Sequence, residues 1–95
     1  MALADTIHDV LNEIPIGHVF DSHFVIEEIR RRNSDEYIRF TSDFAGSLLP
    51  TLTSHQQIGH QIAAFEGTLV ERLPDQSYSI NIHDNASECA LWKKL

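Results

Sequence analysis

Apolar residues recur at helical spacing from Leu3 to Leu73 and then switch to alternate positions at Tyr78, Ile80 and Ile82. A helix buries a stripe of period 3.6 and a half-buried strand buries every second residue, so this switch puts helices first and extended chain last. The expected fold class is α+β: a helical part of about four helices followed by a C-terminal β-hairpin. One domain is expected over residues 1–95, because a split would leave each half short of core. Hydrophobic residues make up 42% of the chain and charged residues 22%, which is globular composition and not that of a disordered segment.

The first helix reads from Leu3, Ile7, Val10, Leu11 and Ile14 and stops at Pro15 and Gly17. Asp21 is placed to cap a second helix, with Phe20 stapling onto Val25, an inner face of Val25, Ile26 and Ile29, and Arg30, Arg31 and Arg32 at its negative end. Ser34 is expected to cap a third helix carrying Tyr37, Phe40, Thr41 and Phe44, with Gly46 as a left-handed terminator. Thr53 to Gln56 reads as a capping box for a fourth helix whose stripe is Ile58, Ile62, Phe65, Leu69 and Leu73. That helix is expected to run to about Arg72. The alternative breaks it near Gly67 and makes residues 68–73 a strand. Pro74 to Ser77 is expected as a turn, Tyr78, Ile80 and Ile82 as the inward face of a strand, His83 to Ser87 as a second turn, and Cys89 to Lys94 as the return strand.

Helices followed by a two-stranded hairpin resemble a winged helix-turn-helix domain, with residues 35–45 and 53–66 as the helix pair and 77–93 as the wing. The likeness is architectural and spans the chain from Asp21 onward. It implies a DNA-binding regulator as one possible activity. Separately, the phrases Gly17 to Ile26 and Asn85 to Lys94 resemble small uncharacterised bacterial proteins, including products of mobile gene cassettes, which implies no activity.

The fourth helix offers the candidate contact surface. Opposite its apolar stripe lie Gln56, Gln57, Gly59, His60, Ala63 and Ala64, and residues 44–65 contain no Asp, Glu, Lys or Arg. Small residues let another helix approach closely, and glutamines hydrogen-bond across such a contact. The same face could read DNA, since Gln pairs with adenine in the major groove. An ordinary solvated helix face fits the pattern equally well. An exposed Trp92 on the hairpin would mark an interface, whereas a packed one is core. The net charge is −7, with 14 acidic and 7 basic residues, which disfavours nucleic acid. A base reader also needs phosphate clamps. The candidates are Arg30, Arg31, Arg32, Arg39, Lys93 and Lys94, but Glu27, Glu28, Asp35 and Glu36 lie among the arginines, the pattern of a solvated salt-bridged surface. The leading expectation is a small non-catalytic interaction module that forms a dimer or binds another protein. DNA binding is the alternative, and mimicry of nucleic acid by an acidic surface is a third idea.

Catalytic and metal chemistry find little support. Six histidines are present, but His18 and His23, like His55 and His60, are five apart and diverge by about 140° on a helix. His23 and Glu27 can share one face, yet two ligands without a third at a diagnostic spacing do not make a metal site. Cys89 reads as a core cysteine, with Glu88 raising its pKa if close. No nucleophile elbow or phosphate-cradling loop occurs. No catalytic residue, metal or cofactor is therefore expected. The lone thiol, the absence of a leader-like start and the shortness of the apolar runs point to a cytoplasmic protein that does not span a membrane.

Overall fold

A computed structural model describes residues 3–81 and 86–95, with the backbone alone at 50 and 51. The element order is α1 (Leu3–Glu13), β1 (Val19–Asp21), α2 (Ser22–Arg32), α3 (Ser34–Ser42), α4 (Pro50–Ala63), β2 (Val70–Ile80) and β3 (Ala86–Lys94). The three strands form one antiparallel sheet in the order β1-β3-β2, so the class is α+β. No helix among the described residues is long and apolar enough to cross a membrane.

α1 buries Leu3, Thr6, Ile7, Val10 and Leu11, the i, i+3, i+4, i+7, i+8 stripe expected of an amphipathic helix. Its last carbonyls are taken up from a distance: the Lys94 ammonium donates to the Leu11 carbonyl at 2.6 Å and to that of Ile14 at 2.9 Å. A cation at the negative end of a helix suits the dipole, and the Leu11 carbonyl also accepts from the Ile14 N–H at 3.2 Å. The α2 cap is as the sequence implies. The Asp21 backbone is extended, and its carboxylate accepts from the Phe24 N–H at 2.9 Å. Val25, Ile26 and Ile29 are buried, and Phe20 joins them in the same core cluster. At the other end Asn33 donates from its side chain to Thr6 at 3.2 Å, tying the α2–α3 junction to α1.

The next two helices start and stop differently from the expectation. Asn33, not Ser34, is the residue before α3, and it supplies no side-chain cap. Gly46 is not left-handed. The end of α3 tightens instead through three-residue bonds from Phe44 to Thr41, Ala45 to Ser42 and Ser47 to Phe44. α4 begins at Pro50 and not at the Thr53 capping box, because proline at the first helical position loses no bond and arrives with a helical φ. α4 also ends at Ala63, so the long helix to Arg72 does not form. Gly67 adopts a φ of +86°, the Phe65 carbonyl accepts from Leu69 at 2.9 Å and Val70 at 3.2 Å, and Val70 opens β2. Leu69 and Leu73 are half-buried, but through a turn and a strand.

β2 runs through the expected Pro74 turn. Its register against β3 breaks between Arg72 and Gln76, so residues 73–75 form an irregularity in an edge strand, where a residue without an N–H is tolerated. Beyond it Ser77 pairs with Cys89, Tyr78 with Glu88 and Ser79 with Ser87. The expected facing is inverted. Tyr78 is 73% and Ile80 62% exposed, whereas Ser77 and Ser79 point inward. The reason is polar: Ser77 donates to the Asp21 carboxylate at 2.7 Å, and Ser79 lies 2.7 Å from Nδ1 of His23. Ile82 and residues 83–85 of the expected turn lie outside the described residues, whereas Ala86 and Ser87, expected in that turn, already belong to β3 through their pairing with Ile80 and Ser79.

Candidate functional site

α4 and the hairpin enclose a groove of about 250 Å³. Gln56, Gly59, His60 and Ala63 line it from α4, Ser22, His23 and Ile26 from α2, and Glu88, Cys89, Ala90 and Trp92 from β3. Side chains alternate along β3, so Trp92, Ala90 and Glu88 share one face, and their cross-strand partners on β2 share it with them. Those partners are Arg72, Gln76 and Tyr78, with Ile80 opposite Ala86 next along. Tyr78 and Ile80 do not line the groove and point to solvent from the outer part of the hairpin. Arg72 lies across the indole of Trp92, its guanidinium carbon 5.5 Å from the ring centroid.

Most of the expected surface gathers here. Gln56, His60 and Ala63 are exposed and Gly59 is half-buried on the groove side, while Gln57 is exposed outside it. Ala64 is exposed but belongs to a different hollow, beside Leu3, Phe40 and Phe65. Trp92 is no exposed anchor: it is 1% accessible, and its N–H donates to the Ser22 hydroxyl at 3.0 Å. Tyr78 and Ile80 are the exposed aromatic and aliphatic residues of the hairpin, and sequence reasoning placed them inside. The missed signal is the pair of serines between them, which only has meaning once Asp21 and His23 are known to lie opposite.

The proposed phosphate clamps are otherwise occupied. Arg30 pairs with Glu27 at 2.7 Å, Arg31 with Glu28 at 3.2 Å and Arg39 with Glu36 at 3.3 Å. Arg32 bonds Glu28 at 3.1 Å and also Glu13. These are the solvated helix-surface pairs that the mixed sequence suggested. Lys94 is 5% exposed and committed to the end of α1, so it is unavailable to an anion. Lys93 is exposed.

A second constellation lies beside the same groove, whose lining includes His23 and Cys89. Asp21, His23 and Cys89 come together there, all half-buried, with one ligand-type atom of each within 4.8 Å of the others. Cys89 is therefore not a core cysteine. Burial pushes its thiol pKa up, against hydrogen bonds from the backbone of His23 and Ser22, and the Asp21 carboxylate adds to the rise. The neighbouring Glu88 is not among the causes of that rise. The trio is not wired as a nucleophile, base and orienting acid. Asp21 accepts from Phe24 and Ser77, and the two ring nitrogens of His23 face Ser79 at 2.7 Å and Ser87 at 3.3 Å. A reactive thiol would also need a lowered pKa, the reverse of what its surroundings produce.

Comparison of the chain with protein-family models, with curated proteins and with solved structures finds no match.

Proposed function

We propose that this chain is a non-catalytic interaction module that associates with a second copy of itself or with another protein through the face shared by α4 and the β2–β3 hairpin. The observation that carries the reading is the exposure of Tyr78 and Ile80 on a hairpin whose β3 strand shares a groove with a helix face of no formal charge. Large apolar side chains placed together at a rim, beside small residues that admit close approach, are what a protein contact uses. Winged-helix DNA recognition is the second reading. The observation in its favour is that Gln56, Gln57 and His60 all reach solvent on the helix beside the hairpin. The paired arginines, the buried Lys94 and the net charge weigh against it.

The deciding experiment is solution mass by light scattering at low and physiological salt, for the parent and for Tyr78→Glu with Ile80→Glu. Apolar association predicts a dimer at both salts that becomes a folded monomer in the double variant. A parent that stays monomeric over the accessible concentration range removes self-association. Salt-sensitive binding to duplex DNA, weakened by Gln57→Ala or His60→Ala, would favour the second reading over the first.

A further inference from the structure

We propose that Asp21, His23 and Cys89 form a binding site for a divalent cation of the zinc class, built between the start of α2 and the middle of β3. The inference does not depend on the interface reading, although His23 and Cys89 also line the groove beside α4. It rests first on proximity: one carboxylate oxygen, one imidazole nitrogen and the thiol sulfur already lie within 4.8 Å of one another. Zinc bonds of about 2.0 to 2.3 Å in a tetrahedron separate neighbouring ligand atoms by roughly 3.3 to 3.8 Å, so side-chain adjustments of about 1 Å would close the site. The donor set is second. Sulfur, nitrogen and oxygen together suit zinc and its neighbours, and they do not suit calcium or magnesium, which take oxygen.

The third observation is the support behind the ligands. Asp21 is fixed by its helix cap and by its strand pairing to Leu91, and Cys89 by pairing to Ser77. Ser77 donates to the Asp21 carboxylate at 2.7 Å, and each ring nitrogen of His23 has a serine hydroxyl beside it. Whichever nitrogen binds the ion, the other keeps a serine partner, as ligating imidazoles require. The Ser79 hydroxyl lies 2.7 Å from Nδ1 of His23 and also helps to lower the pKa of Asp21 and of Cys89, so a small polar group sits close to all three. Three protein ligands leave one coordination position for water or for a group from a partner. Cys89 would bind as thiolate, releasing its proton to solvent, so affinity should fall as pH falls.

The test is titration of chelator-treated protein with Co²⁺ and then Zn²⁺. One equivalent of Co²⁺ should produce thiolate-to-metal charge-transfer absorption, and one equivalent of Zn²⁺ should bleach it. Cys89→Ser should abolish that absorption, and His23→Gln should weaken binding by about 10-fold or more, with exposed His8→Ala on α1 as the unchanged control. Should either variant fail to fold, protection of the parent's thiol from alkylation by one equivalent of Zn²⁺ gives the same answer without a substitution. Binding with no charge-transfer absorption and no thiol protection would mean that other histidines hold the ion and would overturn the site.

Discussion

Asp21 concentrates three jobs in one side chain: it ends β1, caps α2 and accepts from Ser77 of the hairpin. Burial alone would raise its pKa, but the hydrogen bonds from Ser77 and the Phe24 N–H, with smaller help from Ser79 and His23, bring it below the usual carboxylate value. A folded-state pKa below the unfolded one means stability that is complete above the unfolded value and is lost as pH falls toward the folded one. Chelator-treated parent protein should therefore lose stability in urea melts as pH drops through the ordinary aspartate range, and Asp21→Asn should flatten that part of the profile. Asp21→Ala at neutral pH should cost about 1 to 2 kcal/mol from the cap alone. Trp92 and Lys94 are the other residues whose roles are settled by what they touch. Trp92→Ala should cost about 3 to 5 kcal/mol in chemical denaturation, as for a large buried aromatic. Lys94→Met keeps the apolar stem but leaves two α1 carbonyls without this donor, and about 1 to 3 kcal/mol is the expected loss.

Two glycines separate the elements that sequence pattern could identify from those it could not. Gly67 has a φ of +86° with nothing within 4 Å of an added Cβ, so Gly67→Ala should destabilise by about 1 to 2 kcal/mol through backbone strain alone. Gly59 lies within α4 with equally open space, so Gly59→Ala should stabilise by about 0.5 to 1 kcal/mol. Opposite signs in paired thermal melts would confirm where α4 ends. That end was the hardest boundary to read, because Leu69 and Leu73 keep helical spacing by coincidence after the helix has stopped. α1 and the buried face of α2 were legible because their stripes are long and their caps local. The α4 start was legible in principle from Pro50, but a competing capping-box pattern at Thr53 lay close by. The facing of β2 was not legible at all. Alternation identifies a strand, yet which set turns inward here is decided by Asp21 and His23, 56 residues away from Ser77 and Ser79. Cys89 joined the polar cluster for the same reason: its neighbours come from another element, at no spacing a motif could encode.

At the scale of the whole molecule, the buried hydrophobic residues form one cluster to which α1, α2, α3, α4 and all three strands contribute. The apolar residues left outside it near the groove are those of the hairpin, and the Tyr78 and Ile80 variants test them without touching that core. Because the hairpin is held to Asp21, Ser22 and His23 at the start of α2 through Ser77, Trp92 and Ser79, these variants should leave the melting transition within about 0.5 kcal/mol of the parent, as surface substitutions usually do.

The place of β3 has a consequence for how the molecule is made. β3 is the middle strand of the sheet, and through Trp92 and Lys94 it also seals α2 and α1. In chain order it follows every other element. A nascent chain can therefore form α1 to α4 only as unsealed helices until the segment from Cys89 to Lys94 has left the ribosome, and then all of them lock at once. Released chains truncated before Trp92 should remain open to protease, while chains that run through Lys94 should be protected.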